Sequence, residues 1–434
     1  MKRKLSLLLS VLLLSAPLSG CGGEQAETPS PSPSQTLSPT PEETDTPQDT
    51  NTPEPSEEPA PSDTVPEPSE PKYEPIYIKA GDVPKLERYD EPISILLEEG
   101  FLTEENFYSF TSQAHTWIWE ADLFEPADLP TFSFESNMVF EGSEELAEEL
   151  LEAAKNPGLG VRSLHEQGIT GEGVSVAIID QNLLLDHPEY AGSIAAYYDS
   201  GCGQPEGAGS MHAPAVLSLL SGQTVGVAPG AKVWFAAAPS WEGDAAYYAD
   251  CLNWIMEQNR ALPEGEKIRV VSVSAAPGEW ENGSQWDEAV AAAKAEGILI
   301  LDCAGSNETG FVYASYSDRD FPEDVTKCTP GFPNMDVDFS HIYWTGKLFV
   351  PASFRTTAQE YVAGLCIYTY WGNGGRSWSV PYAAGVLALG WQVNPDLDPQ
   401  TMKELLFQSA YVNDEGLHMI DPPAFIELVR ATAE

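Results

Sequence analysis

Basic residues are scarce in this 434-residue chain, which has 21 lysines and arginines against 67 aspartates and glutamates and a formal charge of −46. This deficit excludes nucleic acids as partners, because binding to phosphates requires a basic surface. Cysteine is also scarce, with six residues and no C-x-x-C pair, so the usual zinc and redox motifs are missing. The five cysteines after Cys21 are an odd number, and their spacing leaves the pairing of one or two extracellular disulfides open.

Long apolar runs are missing except near the N-terminus. Residues 5–18 are mainly apolar, follow Lys2, Arg3 and Lys4, and are too short to span a bilayer comfortably. Residues 1–20 are therefore predicted to be a signal peptide. The segment ends in Leu-Ser-Gly-Cys, which resembles a bacterial lipoprotein box. We expect acylation of Cys21 and anchoring on the extracellular face of the cell membrane, in a Gram-positive-like envelope. The alternative is an ordinary secretory signal with a chance cysteine.

Large apolar side chains are almost absent from residues 21–72. Residues 22–71 contain 13 prolines and 12 carboxylates and no basic residue. Such a composition cannot bury enough surface to offset the entropy of ordering, so a disordered tether is predicted here. Residues 73–159 form a separate N-terminal extension, with a strand-like YEPIYIKA segment and a helix over residues 143–156.

From residue 160 to 434, apolar runs of strand length alternate with helical segments. Strands are predicted at residues 174–180, 233–238, 268–274 and 298–303, with helices at 244–259 and 286–297 between them. Continuous apolar strands separated by helices indicate an α/β fold with a parallel sheet covered on both faces. In such sheets functional groups collect at the carboxyl ends of the strands.

Four polar residues at strand or helix ends form a candidate catalytic site. Asp180 ends the first strand, His212 lies in MHAPAVLSLL, Ser377 lies in GRSWSVPYAAGVLAL, and Asn307 follows the strand ILILDC. The order Asp, His, Ser is one of the known orders of a serine hydrolase triad. The imidazole would take the proton of the serine hydroxyl, and the aspartate would orient the imidazole. Asn307 and the backbone N–H of Ser377 would stabilise the oxyanion.

Each of these residues alone has a simpler interpretation. Asp180 and Asn307 could be turn formers, His212 a hydrogen-bonded core residue, and Ser377 a helix cap. It is their joint pattern that favours catalysis. An esterase or lipase is disfavoured, because no G-x-S-x-G sequence surrounds Ser377.

The segments around these residues resemble the subtilisin-like serine proteases, or subtilases, over about residues 160 to 430. His187-Pro188 lies seven residues beyond Asp180, VGVAPGAKV at 225–233 resembles the turn after the family's histidine helix, and Pro381 lies four residues after Ser377. The resemblance implies a three-layer subtilisin-like fold with a mostly parallel central sheet flanked by helices. It also implies an endopeptidase that hydrolyses extended polypeptides through an acyl-enzyme.

The same resemblance implies further properties. Ser274, Ala275 and Ala276 lie where the family pairs with substrate, so they are candidate substrate-binding residues. No cofactor is required and a monomer is expected. Structural calcium is common in the family, but no D-x-D-x-D-G loop localises a metal site here. In this family the extension at 73–159 would assist folding or block the site, whereas a peripheral layer without a regulatory role is the alternative.

The sequence also departs from the family pattern beside each predicted site residue. Gln181-Asn182 follows Asp180, Ala213-Pro214-Ala215 follows His212, Arg376 precedes Ser377, and Ser306 precedes Asn307. These departures keep open an inactive subtilase-like surface protein that binds peptides. A wall-associated structural lipoprotein would explain the anchor and tether but not the four site segments.

Overall fold

A computed structural model describes residues 76–78, 129–130, 133–140, 142–203, 207–333 and 338–433. Cys21, the predicted signal peptide and the predicted tether lie outside the described residues. The strands are β1 (Ile76–Ile78), β2 (Ser133–Glu135), β3 (Met138–Phe140), β4 (Ser175–Asp180), β5 (Ile194–Asp199), β6 (Lys232–Ala237), β7 (Ile268–Val273), β8 (Leu299–Leu301), β9 (Val312–Tyr316), β10 (Thr329–Pro330), β11 (Leu348–Pro351), β12 (Arg355–Gln359), β13 (Ile367–Trp371), β14 (Tyr411–Val412) and β15 (His418–Met419). The helices are α1 (Glu144–Ala153), α2 (Val161–Glu166), α3 (His212–Ser221), α4 (Ala245–Ala261), α5 (Gly283–Ala295), α6 (Arg376–Val393), α7 (Pro399–Gln408) and α8 (Pro422–Arg430).

The central sheet has five parallel strands in the order β5-β6-β4-β7-β8. Its middle strand, β4, is buried along its whole length. Val176 and Ile178 pack in the core that contains α3 and α6, whereas Ala177 and Ile179 pack in the core that contains α4 and α5. Because alternate side chains of a strand point to opposite faces, helices cover both faces of the sheet. The predicted three-layer α/β fold is confirmed.

The four predicted strands correspond to β4, β6, β7 and β8, with ends that differ by one or two residues. The edge strand β5 was not predicted. Its residues, IAAYYD, are half-buried or exposed, so they lack the continuous apolar pattern of the inner strands.

Helix α6 runs through the interior, and 14 of its 18 residues are buried. Its close approach to the turn at Val227 requires a glycine, because a Cβ at Gly385 would lie 2.8 Å from the Cβ of Val227. A larger residue at position 385 would push α6, which carries Ser377 in its first turn, away from the turn at Val227.

The described residues form three further sheets: the two-stranded parallel sheet β1-β3 and two larger ones. One has the order β10-β9-β11-β15-β14, and the other is the antiparallel sheet β12-β13-β2. Through β2, part of the predicted N-terminal extension pairs with β13. Phe134 and Phe140 of this segment are each 2% exposed, and the Phe134 ring lies 5.2 Å from that of Tyr370. Residues 133–140 therefore share a core with residues that the sequence placed in the peptidase domain.

None of the helices in the described part of the chain is both long enough and apolar enough to cross a membrane.

Candidate active site

Asp180 and His212 are joined by a hydrogen bond. Asp180 ends β4 with its carboxylate 3% exposed, and His212 begins α3 with its ring 14% exposed. The imidazole Nδ1 donates to Asp180 Oδ1 at 2.7 Å, and the backbone N–H of Gln181 donates to the same oxygen at 2.8 Å. With Nδ1 carrying the proton toward the carboxylate, Nε2 is left as the basic nitrogen. This is the tautomer that a general base requires.

The start of α3 is held by Ser210. Its Oγ accepts the N–H groups of His212 at 3.2 Å and of Ala213 at 2.9 Å, which satisfies two of the donors that a helix N-terminus leaves free. Pro214 lies in the first helical turn, where its missing N–H costs no helical hydrogen bond. The replacement of the usual sequence after the histidine is therefore compatible with the helix.

Ser377 lies in the first turn of α6, and its position depends on a proline one turn further on. Pro381 has no N–H, so the carbonyl of Ser377, four residues earlier, has no helical donor. Ser274 supplies one, because its Oγ donates to the Ser377 carbonyl oxygen at 2.8 Å. The Ser377 hydroxyl in turn donates to the carbonyl oxygen of Ser274 at 3.3 Å.

Trp378, in the first turn of α6, packs against His212. The centroids of the Trp378 and His212 rings are 5.1 Å apart, and Trp378 is buried. Ser377 is next in the chain to Trp378, so all three predicted triad segments meet here. Among the described residues, however, no hydrogen bond joins Ser377 to His212. The serine hydroxyl would have to turn about its χ1 bond from the Ser274 carbonyl toward the imidazole.

The predicted substrate-binding segment follows β7 directly. Its carbonyls all accept hydrogen bonds within the chain: that of Ser274 from Ser377, that of Ala275 from the N–H of Cys303 at 2.8 Å, and that of Ala276 from the N–H of Glu279 at 3.1 Å. A peptide lying along this segment would accept from the backbone N–H groups of the segment or donate to the second lone pair of one of these carbonyls.

Asn307 lies in the exposed loop between β8 and β9, as predicted, but its amide has another partner. Asn307 Nδ2 donates to the carbonyl oxygen of Thr345 at 2.8 Å. The structure thus does not direct this amide to Ser377, and it must leave Thr345 before it can stabilise an oxyanion. No local sequence pattern indicates the contact between Asn307 and Thr345, because Thr345 lies 38 residues further along the chain.

Arg376, a departure from the family pattern beside Ser377, makes contacts that the sequence did not predict. Its guanidinium donates to the carbonyl oxygens of Cys303 at 2.7 Å, Ala304 at 3.1 Å and Val312 at 3.1 Å. Its side chain is thus committed to the loop between β8 and β9.

The most deeply buried cysteines are not candidate nucleophiles in this part of the chain. Cys202, Cys251, Cys303 and Cys328 are free thiols, and burial raises the pKa of Cys251 and of Cys303 to about 12. Such thiols are not ionised near neutral pH. The residues that the structure describes contain no group of three or more His, Cys, Asp or Glu side chains that could hold a metal ion.

Known proteins that resemble this chain include subtilases and a serine proteinase. Residues 171–334 match the model of the subtilase family. The matched range includes Asp180, His212 and Asn307 and ends before Ser377. The chain is also similar to a curated extracellular serine proteinase of Thermus sp. (strain Rt41A), with 25% identity over 249 residues. That match covers 56% of this chain and spans 57% of the length of the relative.

The fold is shared with a solved structure. One match is to a structure of the subtilase cytotoxin SubAB. It has a TM-score of 0.50 and 16% identity, and it covers 64% of this chain and 96% of the other. Fervidolysin from Fervidobacterium pennivorans, a keratinolytic enzyme related to subtilisin, matches with a TM-score of 0.47 and 19% identity, over 65% of this chain and 46% of its own. The first likeness shows that the three-layer architecture is subtilisin-like.

Proposed function

We propose that the protein is a serine endopeptidase that hydrolyses extended polypeptides through an acyl-enzyme on Ser377, anchored outside the cell membrane by lipid on Cys21. The observation that carries the enzymatic part is the 2.7 Å hydrogen bond between His212 Nδ1 and Asp180 Oδ1, beside the helix that carries Ser377 in its first turn. The subtilase family match and the Thermus proteinase support the same activity.

The proposed chemistry follows from the three side chains. His212 Nε2 takes the hydroxyl proton of Ser377 as the oxygen attacks a peptide carbonyl, and it then gives that proton to the leaving amine. Asp180 holds the imidazole and stabilises its protonated form. Water then attacks the ester and releases the serine. The N-terminal end of α6 favours the developing negative charge, since free N–H groups converge there.

A second candidate is a subtilase-like protein that binds peptides without cleaving them. Two observations favour it: the Ser377 hydroxyl donates to Ser274 rather than to His212, and the Asn307 amide donates to Thr345. Both groups would need to reorient before catalysis.

Three purified forms distinguish the candidates: wild type, Ser377→Ala, and the matched control Ser379→Ala, which removes a buried hydroxyl bonded to the Val350 carbonyl. Each form is tested for cleavage of an unstructured protein and for labelling by a fluorophosphonate probe. We expect wild type and Ser379→Ala to cleave and to be labelled, and Ser377→Ala to do neither. Equal cleavage and labelling by wild type and Ser377→Ala would contradict the proposal. Peptide binding by a wild-type protein that is never labelled would favour the second candidate.

Membrane anchoring is tested separately. In a bacterial host that processes lipoproteins, the mature wild-type protein should begin at an acylated Cys21, as read by mass spectrometry, and should fractionate with membranes. Cys21→Ser should release the protein into the medium. An unmodified start at another residue of the wild type would contradict the anchoring proposal.

A further inference from the structure

The loop between β8 and β9 carries Asn307 and lies against the start of α6. Residues 305–308 are exposed, and two glycines, Gly305 and Gly310, lie within the loop. Fixing the backbone of such a loop in one conformation costs conformational entropy. Something outside the loop must therefore hold it if its donors are to be in place before a substrate arrives.

Lys347 is one such group. It is 0% exposed and directly precedes β11. Its Nζ donates to the carbonyl oxygens of Gly305 at 2.9 Å, Ser306 at 3.1 Å and Gly310 at 2.5 Å. An ammonium group has three N–H donors, so these three carbonyls use all of them. Burial of a charge is costly unless its hydrogen bonds are satisfied, and the loop carbonyls satisfy this one.

Arg376 holds the preceding part of the same loop. Its guanidinium donates to the carbonyls of Cys303 and Ala304, and to that of Val312 where β9 begins. Because Arg376 is adjacent to Ser377, one side chain ties the loop to the helix that carries the proposed nucleophile. The planar guanidinium of an arginine holds its N–H donors in a fixed geometry, so it suits contacts with several separate carbonyls better than the compact ammonium group of a lysine would.

A carbonyl that is fixed also fixes the N–H of the same trans peptide, which points the opposite way. Carbonyls at four consecutive positions, 303 to 306, are held by these two cations. The loop is thereby set in one conformation before a reaction begins. With the backbone fixed in advance, the change that remains is the turn of the Asn307 side chain from Thr345 toward an oxyanion, so little reorganisation is needed during the reaction.

We propose that Lys347 and Arg376 are positioning residues that hold residues 303–310 where the oxyanion donors of this loop can face the carbonyl attacked by Ser377. This inference rests on the proposed function. Neither residue touches the substrate, and their effect passes through the loop backbone.

The protonation of Lys347 gives the inference a pH dependence. Burial, together with the charges of Arg376 and Lys403, lowers the pKa of Lys347 to about 8, and Asp302 opposes this shift. The Tyr343 ring lies 5.0 Å from Nζ as well. Above this pKa the neutral amine has two N–H donors for three carbonyls. We therefore expect kcat of the wild type to decline above pH 8, and this decline to be absent in Lys347→Met.

The test compares wild type with Lys347→Met, Arg376→Met and Arg376→Lys, and uses Lys232→Met as control because Lys232 is a half-exposed lysine paired with Glu266. Turnover of a chromogenic peptide gives kcat and KM, and hydrogen exchange by mass spectrometry reports on residues 303–310. In both methionine variants we expect kcat to fall by about 10²-fold, the order of a lost oxyanion donor, with KM changed by less than about threefold. Hydrogen exchange in residues 303–310 should become faster in these variants. The kcat of Arg376→Lys should lie between those of wild type and Arg376→Met. Lys232→Met should match wild type.

Unchanged kcat in both methionine variants of a working enzyme would overturn this inference and leave the proposed function standing. A wild type that neither cleaves nor is labelled would overturn both. Should Lys347→Met fail to fold, the kcat of the two Arg376 variants decides, since a positioning role requires Arg376→Lys to lie above Arg376→Met.

Discussion

Ser274 and Ser377 hydrogen-bond to each other twice, with the hydroxyl of each donating to the carbonyl oxygen of the other, at 2.8 and 3.3 Å. The stronger of these bonds exists because Pro381 cannot donate to the Ser377 carbonyl from within α6. A residue of the proposed substrate-binding segment thus completes the first turn of the helix that carries the proposed nucleophile. Two distant parts of the sequence are joined at the point where the reaction would occur.

Replacement of Ser274 by alanine should therefore reduce both stability and activity. The Ser377 carbonyl would lose its donor, and an unpaired buried acceptor costs about 1–3 kcal/mol. We expect the free energy of unfolding to fall by about this amount, and kcat to fall because Ser377 is less well fixed. Urea denaturation and peptide turnover measure the two effects.

Ser272→Ala is the matched control, since Ser272 is 0% exposed and its Oγ has no hydrogen-bond partner in the described part of the chain. This change should leave stability unchanged or increase it, because it removes a buried polar group without a partner. If Ser274→Ala and Ser272→Ala behave alike, the contact between Ser274 and Ser377 has no special role.

Asp180→Asn should remove most activity while the fold remains. The amide cannot hold His212 in the tautomer with a proton on Nδ1, and the expected loss of kcat is about 10⁴-fold. The Asp398→Asn variant is a control of equal chemistry, because Asp398 caps α7 through the N–H groups of Gln400 and Thr401 at 3.0 Å. It should change stability by a few tenths to about 1 kcal/mol and leave kcat unchanged. Similar kcat values for the two variants would rule out the role proposed for Asp180.

Because the His187 ring is buried, we expect the protein to lose stability in mild acid. The Nε2 of this ring donates to the Ile367 carbonyl at 3.1 Å, and Nδ1 accepts the N–H of Glu189 at 3.1 Å. Burial lowers the pKa of His187 below 6.5, so as pH falls through about 6.5 the unfolded chain gains a proton before the folded one does. Stability should therefore fall with pH in this range. The nonionisable variant His187→Asn should be less stable than wild type at pH 7.5, and the difference in melting temperature should narrow toward pH 5.

His341 offers the matched control, because its Nδ1 also accepts the N–H two residues on, from Tyr343 at 3.0 Å, but on the surface. We expect the melting temperature of His341→Asn to follow that of wild type at every pH. A constant difference between wild type and His187→Asn from pH 7.5 to pH 5 would show that His187 is not the group responsible.

Substitution of Phe134 tests whether residues 133–140 belong to the folded core. The Phe134 ring is 2% exposed and lies 5.0 Å from Phe140 and 5.2 Å from Tyr370, next to the pairing of β2 with β13. Phe134→Ala should reduce the free energy of unfolding by about 3–5 kcal/mol, as is usual for a buried phenylalanine. Glu149→Ala on the exposed face of α1 should change it little. A small effect of Phe134→Ala would instead favour an extension that can be removed without loss of the fold.

The sequence predicted four of the five strands of the central sheet, because β4, β6, β7 and β8 are mainly apolar and are buried along most of their length. It missed β5, whose half-exposed residues give no continuous apolar run, and it missed the sheets formed by residues 312–371. For the site, it identified Asp180 and His212 as a pair from their positions after a strand and before a helix. It gave no role to Lys347, since a single lysine before an apolar strand does not reveal which carbonyls lie around it.

What the sequence determined by itself is the chemistry available: an aspartate, a histidine and a serine in catalytic order, each at the end of a strand or the start of a helix. Strand and helix ends follow from local patterns of apolar residues, so these positions could be read without a structure. Only the tertiary structure decided how the loop at 303–310 is held and where Asn307 and the Ser377 hydroxyl point. Those contacts join residues 37 to 103 positions apart, and their geometry depends on how whole elements pack, which no local pattern encodes.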